Sequence, residues 1–223
     1  MPYSVAIDGP SGAGKSTIAK RLAADLGFHY VDTGALYRTV GLAMTEAGVD
    51  PADEVAVAKA LESMTVFVTY EEGRQIVLLN GTDRGADIRT AAVAAAASRF
   101  SAIPAVRAFL LDTQRELATR FSVIMDGRDI GTTVLPAADL KIFLTASPEA
   151  RARRRMADLA AQGEPADFDT VLAAMQKRDY DDSHRAISPL MQAADAVAVD
   201  TSGNTLEMSV TQLRQIVTDR LGL

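Results

Sequence analysis

The hydrophobic pattern of this chain alternates between short apolar runs, typical of buried strands, and longer segments with one apolar face, typical of helices. The predicted strands span residues 3–7, 28–31, 122–125, 140–144 and 196–199. The predicted helices span residues 17–26, 33–47, 51–63, 91–100, 104–120, 151–162, 170–181 and 206–221. Thr33 is the expected N-cap of the second helix, and Pro51 is expected to open the third. This alternation predicts an α/β fold with a mostly parallel central sheet covered on both faces.

The segment 65–90 departs from this alternation. It is rich in β-branched and aromatic residues, and turn signals occur at residues 71–73 and at Asn80-Gly81. We therefore expect a small antiparallel sheet inserted into the α/β chain.

Composition narrows the classes of function. The 223 residues carry a formal net charge of −6, which argues against a general nucleic-acid binder and against adsorption to anionic membranes. There is no cysteine, which excludes a disulfide framework and a thiolate zinc site, and a total of two histidines argues against a His-rich metal site. No apolar run approaches the ~20 residues of a bilayer span, and a strand beginning at residue 3 leaves no room for a signal peptide. We expect a cytoplasmic enzyme, monomeric by default, with no nucleic-acid or membrane partner.

Residues 9–16 read G-P-S-G-A-G-K-S and match the P-loop pattern G-x-x-x-x-G-K-[ST] at every fixed position. Glycines allow backbone N–H groups to surround a phosphate chain, Lys15 can reach the β- and γ-phosphates, and the Ser16 hydroxyl can ligate Mg²⁺. The loop follows a predicted strand and precedes a predicted helix, which is the context this motif requires. The sequence thus predicts a nucleotide phosphate site but does not by itself identify the reaction.

Aspartates end three of the predicted strands, namely Asp8, Asp32 and Asp126. Ligands bind at the carboxyl ends of the strands in open α/β sheets, so all three are candidate site residues. The segment V-I-M-D, ending at Asp126, has the form of a Walker B strand, whose aspartate can hold Mg²⁺ directly or through water. The alternative is an aspartate that merely begins a turn.

Arginines cluster after these strands. Arg128 could meet a phosphate or carboxylate, or could pair with a nearby acid. The helix near 151–155 presents four arginines, which form either a solvated face or a mobile lid. Residues 178–185 mix arginines and aspartates densely, and Arg178 and Arg185 would share one helix face if the helix continued to residue 185. The P-loop favours the phosphate-neutralising interpretation of both groups.

P-loops occur in GTPases, in motor ATPases and in small kinases, and these classes differ in the other motifs that they require. A GTPase needs an N-K-x-D segment, and neither Asn80 nor Asn204 lies in one. A motor ATPase would usually be longer. A small kinase fits best, because phosphoryl transfer needs positioning and charge neutralisation rather than a nucleophilic side chain. An adenylate-, uridylate- or shikimate-type kinase stays open at this point, as does a nucleotide-dependent regulator with slow hydrolysis.

Four motifs occur in order: D-G-P-S-G-A-G-K at 8–15, D-T-G-A-L-Y-R at 32–38, D-G-R-D-I-G at 126–131 and R-D-x-x-D-x-x-R at 178–185. Together with the insert, they resemble the bacterial cytidylate kinases of the P-loop nucleoside monophosphate kinase family, over nearly the whole chain. The resemblance implies one kinase domain (1–223) with a three-layer P-loop NTPase fold and a parallel central sheet. It also implies a monophosphate-binding region at 33–100, with a β insert at about 65–90, and a helical lid at 150–165.

The resemblance further implies that ATP and CMP or dCMP give ADP and CDP or dCDP, with Mg²⁺, in pyrimidine nucleotide metabolism. Arg38 and Arg128 would hold the acceptor phosphate, with Tyr37 beside it. Cytosine would be read by Ser98, Arg107 and Asp129, and the pentose would be contacted by Arg178 and Asp182, with Arg185 close by.

The implied site residues, by role, are as follows. The catalytic residues are Lys15, Arg128 and Arg178. The ATP-binding residues are Gly9, Pro10, Ser11, Gly12, Ala13, Gly14, Lys15, Ser16 and Thr17. The CMP-binding residues are Thr33, Tyr37, Arg38, Ser98, Arg107, Asp126, Arg128, Asp129, Arg178, Asp182 and Arg185. The lid arginines are Arg151, Arg153, Arg154 and Arg155, and the metal-binding residues are Ser16 and Asp126.

Overall fold

The chain divides into two compact units in a computed structural model that describes residues 2–161 and 163–223. The first, termed the P-loop unit, comprises Tyr3–Phe28 and Ile124–Leu223. The second unit comprises His29–Val123 together with Pro2.

The secondary structure alternates as expected. The strands are β1 Ser4–Asp8, β2 His29–Asp32, β3 Val66–Glu71, β4 Arg74–Leu79, β5 Thr82–Asp83, β6 Val123–Gly127, β7 Leu140–Thr145 and β8 Val197–Asp200. The helices are α1 Lys15–Leu26, α2 Thr33–Glu46, α3 Glu54–Glu62, α4 Ala91–Phe100, α5 Pro104–Arg120, α6 Pro148–Ala161, α7 Phe168–His184 and α8 Leu206–Leu221. A short 3₁₀ helix spans Asp87–Arg89, and a π-helix spans Ile130–Val134.

The strands of the P-loop unit lie in the order β6-β1-β7-β8. β1 and β7 are parallel, with Val5 opposite Leu140 and Asp8 opposite Phe143. β7 and β8 are parallel as well. Because the strands are parallel, their carboxyl ends meet at one edge of the sheet, which carries Asp8 and the P-loop. The predicted parallel sheet is confirmed.

The second unit contains the predicted antiparallel insert. β3, β4 and β5 form a three-stranded sheet, in which β3 and β4 are joined by a tight turn at Glu72 and Gly73, both with positive φ. The insert packs on helices through a buried apolar cluster that includes Leu36, Val77 and Phe100. None of the described helices is by itself long and apolar enough to cross a membrane. Among the described helices, only α4 and α5 taken together have the length and the apolar composition of a membrane span, and they are bent by 101° relative to each other.

Two local predictions need correction. Asp32, and not Thr33, caps α2, because its carboxylate accepts the Ala35 N–H while Thr33 is the first helical residue. Pro51 does not open a helix; α3 begins at Glu54, where the Asp53 carboxylate accepts the Ala56 N–H. The predicted helix 151–162 corresponds to α6, and Gln162 lies outside the described residues.

Candidate active site

The loop between β1 and α1 has the backbone shape of a phosphate cradle. Gly9, Gly12 and Gly14 have φ angles of 148°, 75° and 91°, which residues with a Cβ rarely adopt. A Cβ at Gly9 would collide with the Leu144 carbonyl oxygen, and one at Gly12 would stand 2.5 Å from Met175 Cε. Gly14 leads directly into α1, and no described side chain caps this helix end. The first N–H groups of α1 are therefore open to a phosphate.

Lys15 is buried within this loop, where its Nζ donates to the Pro10 carbonyl oxygen at 2.8 Å. Burial, and then the charge of Arg128, lower the pKa of Lys15 well below its ordinary value, while the Asp126 carboxylate opposes this shift. The charge of Arg178 also lowers it. Arg128 and Arg178 thus both lie within electrostatic range of Lys15, and a polyphosphate would supply the negative charge that offsets this repulsion.

Ser16 and Asp126 bring two oxygen ligands together beside the loop. The Ser16 hydroxyl donates to Asp126 Oδ2 at 2.7 Å, across 110 residues of sequence. Within the described residues no group of three or more His, Cys, Asp or Glu side chains could hold a metal ion. A cation here would therefore take most of its ligands from phosphate oxygens and water, which is the usual coordination of Mg²⁺.

Arg151 is one of the predicted lid arginines, but it is a buried support of the P-loop. Its Nη1 donates to the Ser11 carbonyl oxygen at 3.0 Å and its Nε to that of Ala146 at 2.9 Å. Its Nη2 lies 2.6 Å from Asp179 Oδ2 on α7, and the side chain is only 4% exposed. One guanidinium group thereby joins the loop, the end of β7 and α7.

The other three lid arginines differ in their surroundings. Arg154 donates to the Thr201 carbonyl oxygen at 2.5 Å and to the Ala13 carbonyl oxygen at 3.4 Å. Arg153 and Arg155 are exposed, and the Arg153 guanidinium lies 5.9 Å from the Phe168 ring centroid. The helix that carries them is held to α7 by an apolar cluster of buried residues. Two of the four arginines therefore support the phosphate loop, and two face solvent.

Arg128 and Asp129 follow β6 and pair with residues at the end of α7. Arg128 Nε donates to Asp182 Oδ2 at 3.0 Å. Arg185 Nη2 lies 3.5 Å from Asp129 Oδ1, and both of these side chains are buried. Arg178 and Asp182 lie on α7, but the helix ends at His184 and Arg185 has extended backbone angles, so the helix face expected for Arg178 and Arg185 does not continue to Arg185. The structure thus brings together the predicted acceptor-site residues of the P-loop unit.

The carboxylate of Asp8 holds the start of the π-helix. Its Oδ1 accepts the Ile130 N–H at 2.8 Å, and its Oδ2 accepts the Gly131 N–H at 2.7 Å. Burial raises the pKa of Asp8 from 3.8 to about 6; the two N–H groups lower it, and the charge of Asp129 raises it further. Asp8 is therefore a buried, ionisable group that organises the backbone beside the site.

This raised pKa makes a testable prediction about stability. The folded chain takes up a proton at Asp8 below about pH 6, whereas an unfolded aspartate does so only near 3.8. The contribution of Asp8 to the free energy of unfolding should therefore rise as the pH falls from about 7 to about 4, by up to about 3 kcal/mol. Urea unfolding of the wild type and of Asp8→Asn at several pH values measures this as a growing difference. A difference that stays constant with pH would contradict the raised pKa.

The second unit places Arg38 beside the end of β2. Arg38 Nη2 lies 2.9 Å from Asp32 Oδ2, the same carboxylate that caps α2. Gln75 on β4 binds the Asp32 backbone twice: its Oε1 accepts the Asp32 N–H at 2.6 Å, and its Nε2 donates to the Asp32 carbonyl oxygen at 3.2 Å. The insert thus supports the residue that orients Arg38.

The cytosine-reading candidates of the second unit are also neighbours. Arg107 is buried, and its guanidinium lies 5.6 Å from the Tyr37 ring centroid. Arg107 Nη1 donates to the Ser101 carbonyl oxygen, and the Ser101 hydroxyl donates to the Ser98 carbonyl oxygen. Thr33 is buried at the start of α2. Ser98 and Arg107 therefore belong to one hydrogen-bonded group, while their predicted partner Asp129 belongs to the P-loop unit.

Sequence reasoning missed several supporting residues. Asp8 was noted as a strand end, but nothing in its pattern indicated the π-helix that it binds. Gln75 lies in an ordinary strand, so no local signal could identify it. Asp179 lies in the motif at 178–185, but nothing in that pattern indicated its ion pair with Arg151. Thr201, whose hydroxyl donates to the Thr145 carbonyl oxygen at 3.1 Å, likewise follows a strand without a recognisable motif.

Known proteins similar to this chain identify its family. The family model "Cytidylate kinase" matches residues 5–219. A cytidylate kinase of Nocardia farcinica is 46% identical, covering 99% of this chain and 95% of the relative. One of Mycobacterium avium is 49% identical, covering 97% and 95%. The crystal structure of a shikimate kinase from Acinetobacter baumannii, solved with shikimate, matches with a TM-score of 0.50 at 14% identity over 98% of this chain and 94% of that one, and this likeness concerns the fold. The chain belongs to the cytidylate kinase family.

Proposed function

We propose that Lys15, Arg128 and Arg178 are the cationic centre at which the chain transfers the γ-phosphoryl group of ATP to CMP or dCMP. The products are ADP and CDP or dCDP. The observation that carries this proposal is that Lys15 is buried in the P-loop, bonded to the Pro10 carbonyl, within electrostatic range of both Arg128 and Arg178. A phosphoryl group in transfer spreads negative charge over its equatorial oxygens, and preorganised cations stabilise that charge most strongly where water is excluded.

On the donor side, residues 9–17 surround the ATP phosphates, to which all of them except Pro10 can present a backbone N–H, and Lys15 leaves the Pro10 carbonyl to bind the β- and γ-phosphates. Arg151 and Arg154 hold loop carbonyls, so their role is to keep the cradle in shape. Arg153 and Arg155 face solvent and are the better candidates for a lid that closes over bound ATP.

Mg²⁺ fits the oxygen pair of Ser16 and Asp126, which would hold the ion directly or through water. When bound, the ion neutralises charge on the β- and γ-phosphates and orients them for in-line transfer. The two residues are already in hydrogen-bond contact, so the chain provides this corner of the site without a rearrangement of the backbone.

On the acceptor side, we assign the CMP phosphate to Arg38 and Arg128 and the pentose to Arg178, Asp182 and Arg185. Each of Arg38 and Arg128 is paired with an aspartate in the structure, at 2.9 Å and 3.0 Å. Those carboxylates keep the guanidinium groups oriented until a phosphate competes for them. Ser98, Arg107 and Asp129 would read the cytosine ring.

An acceptor screen tests the function directly. ADP formation from ATP is measured with CMP, dCMP, UMP, AMP or shikimate, against a control without acceptor. We expect strong dependence on CMP or dCMP. ADP formation that ignores the acceptor would indicate a hydrolytic regulator, and a preference for AMP, UMP or shikimate would indicate another kinase. The monomeric state and the cytoplasmic location remain predictions.

A further inference from the structure

A buried carboxylate outside the proposed substrate contacts lies directly behind the segment that carries Asp129. Asp8 is only 5% exposed, and its two oxygens accept the consecutive N–H groups of Ile130 and Gly131 at 2.8 and 2.7 Å. A carboxylate can accept two such bonds at once because both of its oxygens are acceptors. Asp8 therefore binds the backbone N–H groups of the two residues that immediately follow Asp129.

The backbone at this point has little freedom to move elsewhere. The Asp129 carbonyl oxygen accepts the N–H groups of Thr133 and Val134, which closes the π-helical turn. A Cβ at Gly131 would stand 3.1 Å from Lys141 Cδ and 3.4 Å from Asp8 Oδ2. π-helical turns are rare and occur often at functional sites. The turn therefore packs closely against Asp8 on one side and is held by its own backbone hydrogen bonds on the other.

We infer that Asp8 is a positioning residue for nucleobase selectivity, which acts by fixing where Asp129 presents its carboxylate. The inference rests on the proposed function, in which Asp129 accepts the N4 amine of cytosine. Selectivity for cytosine depends on the Asp129 carboxylate lying within hydrogen-bond distance of N4. A shift of the turn would lengthen that distance and weaken the hydrogen bond. Asp8 itself touches no substrate in this arrangement.

Asparagine is a sharp probe because it has nearly the same size and shape. Its amide offers one acceptor oxygen, and its NH₂ group would face an N–H donor where a carboxylate oxygen stood. One of the two bonds to the turn is kept by the amide oxygen, and the other is lost and replaced by a repulsive contact between two N–H donors. Asp139→Asn is the matched control: Asp139 Oδ2 accepts the Ser4 N–H at 2.7 Å, at the other end of β1.

The experiment measures kcat/KM for CMP and for UMP, KM for ATP, and the melting temperature, in wild type and in both variants. We expect Asp8→Asn to lower the CMP-over-UMP ratio about tenfold, the effect of one hydrogen bond, while KM for ATP changes much less. Asp139→Asn should leave the ratio unchanged. Gly131→Ala, which pushes the same turn away from Asp8 and Lys141, should also lower the ratio and serves if Asp8→Asn does not fold.

Two outcomes would overturn the inference. An unchanged ratio with a higher KM for ATP would mean that the Asp8 charge acts on Lys15 and the P-loop, and an unchanged ratio with a lower melting temperature would mean a purely structural role.

The double variant Asp8→Asn with Asp129→Asn adds a further test, because it should lower the ratio no more than Asp129→Asn alone; an additive loss would contradict the inference. A wild type without CMP-dependent ADP formation would instead refute the proposed function.

Discussion

Lys15→Ala is expected to lower kcat/KM for phosphoryl transfer by about a thousandfold or more, while the chain remains folded. The ammonium group is the buried cation of the P-loop, and preorganised charge at a transferring phosphoryl group contributes several kcal/mol to catalysis. Folding should persist because burial and Arg128 already disfavour the charged form of Lys15, as the lowered pKa indicates. ADP formation and circular dichroism measure the two effects.

Lys20→Ala is the matched control for this variant. Lys20 lies on the exposed side of α1, one and a half turns from the loop, so its removal should leave activity near that of the wild type. Near-normal turnover in Lys15→Ala would refute the proposed role of Lys15.

Asp129→Asn is expected to narrow the preference for CMP over UMP by about ten- to a hundredfold. Cytosine presents an amine at position 4 and uracil presents an oxygen, and an ionised carboxylate can only accept hydrogen bonds. The asparagine amide can rotate to offer either a donor or an acceptor, so the unpaired buried group that penalises UMP, worth about 1–3 kcal/mol, disappears. Steady-state kinetics with both acceptors measure the ratio.

Asp25→Asn controls for the general loss of a carboxylate in an ion pair. Asp25 lies 3.7 Å from Arg21 on α1, in the same unit, and is not among the proposed substrate contacts. Its substitution should leave the ratio unaltered, whereas a ratio that also stays unaltered in Asp129→Asn would remove Asp129 from base reading.

The P-loop and the strand and helix on either side of it are the part of the structure that follows most directly from the sequence. The strand, the loop and the helix were all predicted from residues 3–26, because glycine conformations, apolar runs and helix periodicity are local properties. The structure begins α1 at Lys15, two residues earlier than predicted, which places Lys15 and Ser16 in its first turn. The antiparallel insert was also predicted, since its turns at Gly73 and Gly81 leave a strong local signal.

The lid arginines illustrate where the prediction ran short. Charge and spacing placed Arg151, Arg153, Arg154 and Arg155 on one helix, which is correct, but nothing local separates a buried arginine from an exposed one. Arg151 bonds to Ser11, 140 residues away, and its burial follows from that contact. The same holds for Gln75, whose two bonds to Asp32 span 43 residues.

The sequence by itself determined most of the helices and strands, the parallel and antiparallel character of the two sheets, the family motifs and the chemical types at the site, but not the π-helix at Ile130–Val134. Only the tertiary structure decided which charges meet: Arg128 with Asp182, Arg185 with Asp129, and Asp8 with the turn after Asp129. The physical reason is that periodicity and turn chemistry act within a few residues, whereas hydrogen bonds and ion pairs depend on distances in space. Those distances exist only after the apolar faces have packed.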